Sequence, residues 1–265
     1  MSGCISPWMR MLPVLLLLVV ACGTPEAPPA APAAPVVAPA EPTPAEPPPP
    51  ALPASPDGTT PDMKQRAEVV RALGVVREAA SAHGWVAHIQ EPFWDRVEVY
   101  DTQAALWSRI LQLHGMPADT ELPTDGLTAA LEKRVLMAVD EQEYARIRPI
   151  YAAGREAWRR LLAHEIAHRL HVRVLDGDED AMGPTWFFEG FATFIADQEL
   201  GEVPPITSLE DALAAGQAKG DGAYAKYQSA VAWLAERVPL PELVAHAGDV
   251  DFEGWLKQRL EGAGD

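Results

Sequence analysis

Two segments decide how the rest of the chain is read: Leu161-Leu162-Ala163-His164-Glu165-Ile166-Ala167-His168 and Trp186-Phe187-Phe188-Glu189-Gly190-Phe191-Ala192-Thr193. Apolar positions between Tyr151 and Val174 recur at helical spacing, and a further helix is expected from Thr185 to Leu200, ending at Gly201. Residues four apart on a helix share one face with about 5–6 Å between their β-carbons. His164 and His168 can therefore turn both imidazoles to one ion, at bonds of about 2.0–2.1 Å for zinc. Glu165 stands beside the first histidine, where it can take a proton from a water at the ion without binding the ion itself. Glu189 follows His168 with twenty residues between. A second helix packed on the first would bring its carboxylate to the open side of the pair. The expected set is His164, His168 and Glu189 around a single Zn²⁺ ion, with one position left for water, as in a catalytic rather than a structural site.

With these residues in view, the two motifs resemble those of the gluzincins, metallopeptidases that include the thermolysin-like and aminopeptidase N type enzymes. The segment WFFEGFATF is similar to the aminopeptidase form of the Glu-bearing helix. The layout looks like that of the small peptidase MA-like domains found in bacterial lipoproteins. The resemblance is specific over Leu161 to Leu234 and loose over the rest after Asp62. It implies a zinc-dependent hydrolysis of peptide bonds in a peptide or protein substrate, with Glu165 as general base. It also implies that the helix containing Ala223-Tyr224-Ala225-Lys226-Tyr227 supplies a tyrosine to the oxyanion of the reaction. Tyr224 matches that position, Tyr227 is the alternative, and both residues also suit the packing face of an amphipathic helix. Thr193 stands where thermolysin-like enzymes place an aspartate that orients a histidine. The glycine-rich motif with which aminopeptidases capture the substrate's amino terminus is absent, so the resemblance does not extend to aminopeptidase specificity.

Two neighbouring features are read as structural. His171 lies seven residues after His164, about 10.5 Å further along a helix, too far to share an ion with it. A metzincin arrangement would need glycine there and histidine at 174, where Val174 stands. His171 is expected on the surface or in packing. The run Asp176-Gly177-Asp178-Glu179-Asp180 lacks the later glycine and distant glutamate of an EF-hand loop and predicts a solvated turn.

Outward from this centre, Met63 to His83 has Val69, Val70, Leu73 and Val76 at helical spacing. Residues Arg96 to Tyr100 alternate as a strand does, and Asp101 is expected to cap a helix to Leu113 that stops at Gly115. Leu127–Leu131 and Arg134–Val139 predict a hairpin around Glu132-Lys133, and the segment from Leu131 to Val139 an edge for an extended substrate. Ser208 with Asp211 predicts a capping box. Further helices are expected over Tyr224–Arg237, Pro241–Ala247 and Phe252–Leu260. A short sheet with a strand hairpin, followed by a mainly helical half with a zincin-like active-site helix, is an α+β pattern.

The chain has 265 residues and a formal charge of −17. No basic cluster offers a surface to a nucleic-acid backbone. Arg10 precedes the apolar run from Met11 to Val20, and Val19-Val20-Ala21-Cys22 resembles the lipobox of bacterial lipoproteins. That resemblance implies a signal peptide over 1–21, an acylated Cys22 and a place in the bacterial cell envelope, anchored to the membrane through lipid. With Cys4 removed and Cys22 acylated, neither of the two cysteines can form a disulfide. Fifteen of the 26 prolines fall between Pro25 and Pro61, so residues 22–61 are expected to be an extended tether before a domain over 62–265. A metal-binding lipoprotein scaffold or assembly factor without catalysis is the alternative function, and the intact set of four chemical residues weighs against it.

Overall fold

The structure is a computed structural model that describes residues 60–123, 126–152, 156–220 and 222–262. The expected signal peptide, Cys22 and nearly all of the tether lie outside the described residues. The described residues combine a small mixed sheet with a larger helical body, an α+β architecture.

Helix α1, Met63–Ala82, opens on a capping box. The Gln65 amide donates to Asp62 Oδ1 at 2.8 Å, and the Asp62 amide donates to Gln65 Oε1 at 2.9 Å. Its buried stripe is Val69, Ala72, Val76 and Ala80, whereas Val70, expected on the apolar face, is 68% exposed. Strand β1, Arg96–Tyr100, leads into helix α2, Gln103–Leu113. The cap of α2 is Thr102 rather than Asp101, because the Thr102 hydroxyl accepts from the Ala105 amide at 3.2 Å.

The hairpin consists of β2, Ala129–Glu132, and β3, Val135–Val139. Its turn lies one residue later than expected. Lys133 and Arg134 both take positive φ, 45° and 62°, the conformation of a two-residue hairpin turn that matches the twist of the flanking strands. Strand β3 pairs antiparallel with β2, with Leu131 opposite Leu136, and parallel with β1, with Glu98 opposite Met137. The order β1-β3-β2 makes β3 the central strand, which explains why all five of its residues are buried. The free edge expected from Leu131 to Val139 is therefore limited to β2.

Glu98 on β1 is buried with Arg109 of α2. Arg109 Nε donates to Glu98 Oε2 at 2.9 Å, and the Tyr100 hydroxyl donates to the same oxygen at 2.6 Å. The network fastens α2 to the sheet. After β3, helix α3, Glu141–Ile147, is an element that hydrophobic periodicity did not signal, being short and mostly polar.

Helix α4, Ala157–Val174, is the axis of the helical body. It buries Trp158, Leu161, Leu162, Ile166, Ala167, Leu170 and Val172 around most of its circumference, as a helix enclosed by neighbours does. It packs against α1, against β2 and against helix α5, Thr185–Ile195. The Trp158 indole donates to the Val139 carbonyl at 2.7 Å and fixes the start of α4 to the end of β3. The remaining helices are α6, Leu209–Gly216, with the expected Ser208/Asp211 capping box, α7, Ala223–Ala235, α8, Leu240–His246, and α9, Phe252–Glu261. Helices α4 and α5 are shorter than expected, beginning at 157 rather than 151 and ending at 195 rather than 200.

Candidate metal centre

Helix α4 carries His164 and His168 one turn apart, and α5 runs beside it with Glu189 facing them. His164 Nε2 and His168 Nε2 lie 3.0 Å apart, with ring planes at 88°. Glu189 Oε2 is 3.3 Å from the first nitrogen and 3.5 Å from the second. Three ligands of a tetrahedral ion with bonds of about 2.0–2.1 Å are separated by about 3.3–3.4 Å. The observed triangle has the size of such a coordination face. Glu189 Oε2 is also buried without a hydrogen-bond partner, so a cation would satisfy an atom that the protein leaves open. Among the described residues these three side chains are a group able to hold a metal ion. Exposure differs usefully within the set. The His164 side chain is 8% exposed, Glu189 14% and His168 22%, so the centre is closed at its base and open on the His168 side.

The close approach of α5 to α7 depends on the residue after the carboxylate. A Cβ at Gly190 would sit 2.6 Å from the Tyr227 carbonyl oxygen and 2.8 Å from Val231 Cγ2. Only glycine permits this contact, and the contact brings Tyr224, at the start of α7, to the centre. The Tyr224 ring lies 6.1 Å from that of His164, centroid to centroid, and its hydroxyl interacts with Glu189. Tyr227 is committed elsewhere, its hydroxyl donating to the Ala218 carbonyl at 2.6 Å. Tyr224, the residue that matched the motif, thus lies at the centre, and Tyr227, the alternative, is bonded elsewhere.

Charge in the centre follows from enclosure and partners. Burial pushes the Glu165 carboxyl up to about 8, opposed by His168 and reinforced by the carboxylates of Glu189 and Glu132. Burial also acts upward on Glu189, but the facing imidazoles of His164 and His168 outweigh it and hold this carboxyl below its usual range. Burial lowers His164. It acts in the same direction on His168, where Glu189 more than offsets it and the net shift is upward. Burial, then the negative charge of Glu189 and Glu165, raises the Tyr224 phenol well above its ordinary value, so it remains a proton donor at neutral pH.

His171 is fully buried, which assigns it to packing and excludes the surface position. Its ring lies 4.4 Å from that of Phe191 and 6.0 Å from that of Phe187, and neither ring nitrogen has a partner. Thr193 does not orient a histidine. Its hydroxyl donates within its own helix, to the carbonyls of Glu189 and Gly190, both at 2.9 Å. The acidic run forms a turn, with Asp176 and Gly177 at positive φ and Asp178 Oδ1 accepting from the Asp180 amide at 3.0 Å.

Two residues at the centre escaped the sequence reading. Glu132, at the end of β2, contributes to the potential at Glu165. Gln198, just beyond α5, acts on the His164 imidazole, favouring its protonated form against the effect of burial. Neither belongs to a local motif; only the packing of β2 and of the α5 exit against α4 brings them there. No protein-family model, curated protein or solved structure matches this chain.

Proposed function

We propose that the chain is a zinc-dependent peptidase of gluzincin type that hydrolyses peptide bonds. The observation that carries this reading is the convergence of His164 Nε2, His168 Nε2 and Glu189 Oε2 in a triangle of 3.0, 3.3 and 3.5 Å, with Glu165 beside it and Tyr224 facing it. Two imidazoles and one carboxylate suit zinc better than calcium or magnesium, which prefer all-oxygen sets. Zinc held by these three residues supplies acidified water and polarisation of a carbonyl.

The chain's own groups then have distinct tasks. Glu165 is not in the ligand triangle, and its carboxylate accepts a proton from the attacking water and delivers it to the leaving amine. Its raised proton affinity suits that exchange near neutral pH, and a bound cation would draw the value downward. The Tyr224 hydroxyl donates to the substrate oxygen on which negative charge develops. Strand β2 offers backbone groups at its outer edge to an extended peptide, beside the helix that carries the ligands.

We further propose that acylated Cys22 tethers this domain to a bacterial envelope membrane. Among the described residues no helix is long and apolar enough to cross a membrane. Cys22→Ala should stop processing or release a soluble form; equal partitioning of both forms into the aqueous phase contradicts the anchor.

The function is tested by metal analysis and peptide-library digestion of the same preparations. About one zinc per chain is expected, lost in His164→Ala, His168→Ala and Glu189→Ala and kept in His171→Ala. Cleavage should disappear with a chelator and return with zinc. A zinc-loaded chain that cleaves nothing across a broad library would favour the non-catalytic scaffold.

A further inference from the structure

His164 differs from His168 in one respect that the ligand triangle does not explain. Its Nε2 faces the other two donors, while its Nδ1 is buried inside the protein and lacks an aligned hydrogen-bond partner. An imidazole that binds a cation through Nε2 carries its proton on Nδ1, and a buried N–H without an acceptor costs about 1–3 kcal/mol. An acceptor is therefore needed on the inner side of the ring.

The chain path supplies a candidate. Helix α5 ends at Ile195, and Asp197 takes a left-handed φ of 48°, which reverses the backbone. The Gln198 amide N–H then closes the turn by donating to the Thr193 carbonyl at 3.1 Å. This carries half-buried Gln198 back alongside α4. It lines a cavity of about 230 Å³ together with Ala157 and Arg160, which lie seven and four residues before His164 on the same face of α4. Its side chain also favours the protonated His164 imidazole, as a nearby acceptor does.

We infer that Gln198 is a positioning residue for the metal centre: its Oε1 accepts the Nδ1–H of His164, fixing the tautomer and ring orientation that aim Nε2 at the ion. Glutamine performs the task with a neutral acceptor and leaves the net charge of the centre unchanged. This inference rests on the metal-binding part of the proposed function and is independent of whether the chain cleaves peptides.

The test measures zinc dissociation constants on the full-length chain by competition with a chromophoric chelator, and the Tm of the zinc-free protein, for wild type, Gln198→Met, Gln198→Ala and Gln198→Glu. Loss of such an outer partner typically weakens metal binding about 10–100-fold. That loss is expected in the Met and Ala variants with the zinc-free Tm unchanged. The Glu variant, which restores an acceptor, should bind zinc at least as tightly as wild type. Wild-type affinity in Gln198→Met would overturn the inference and leave the proposed function intact. Equal weakening in the Met and Glu variants, or a zinc-free Tm that falls in step with affinity, would assign Gln198 to packing and overturn it too. A wild-type chain that binds no zinc would overturn both.

Discussion

His171 sets an acid limit on the stability of the domain. It is fully enclosed, against Phe187 and Phe191, with both ring nitrogens unpartnered, and burial pushes its proton affinity down to about 3 from an ordinary 6.5. The folded chain therefore refuses a proton that the unfolded chain accepts. Stability is complete above pH 6.5, falls as the pH drops below that value, and stops falling near pH 3. At about 1.36 kcal/mol per pH unit, the loss attributable to this residue between pH 7 and pH 5 is about 2 kcal/mol. His171→Leu removes the titrating ring while keeping an apolar side chain in the slot. Urea denaturation of the metal-free protein at both pH values gives the comparison, because His164 and His168 titrate in both proteins and cancel. The wild type should lose about 2 kcal/mol more than the variant over that interval. An identical pH dependence in the two proteins would refute the assignment of His171 as a buried neutral group.

Further outcomes follow from the helix contacts. Tyr224→Phe should lower kcat about 10²–10³-fold with zinc content and KM little changed, measured on one peptide substrate. Tyr227→Phe should retain kcat and lose roughly 0.5–1.5 kcal/mol of stability with its bond to the Ala218 carbonyl; a large kcat loss in this variant alone would exchange the two roles. Gly190→Ala should cost about 1–3 kcal/mol by forcing α5 from α7, seen as a lower Tm, and an unchanged Tm would contradict the close approach at the Tyr227 carbonyl.

What could be read from the sequence was whatever the chain encodes locally. The spacing of His164 and His168 is a property of one helix, and Ser208/Asp211 and the hairpin strands depend on near neighbours. Even there, local signals competed: Asp101 and Thr102 both suit a helix cap, and the hydroxyl of Thr102 has the geometry. Glu189 could be found because it sits in a motif of its own. Gln198 and Glu132 could not, since their relation to His164 and Glu165 exists only after the α5 exit and β2 pack on α4. The parallel pairing of β1 with β3 is likewise non-local, and it is what turned the supposed edge of β3 into the centre of the sheet. His171 shows the opposite case, in which helical spacing excluded it from the ion while its complete burial depended on two phenylalanines of the next helix.

In the proposed hydrolysis Glu165 moves the proton, and a single side-by-side comparison isolates that step. Wild type and Glu165→Gln, brought to the same measured zinc content, are assayed side by side on a peptide that the wild type cleaves. Equal zinc, an equal Tm, and a rate lower by at least about 10²–10⁴-fold in the variant are expected, because an amide cannot take the proton from water. A Glu165→Gln chain that cleaves the peptide as fast as wild type would contradict that role.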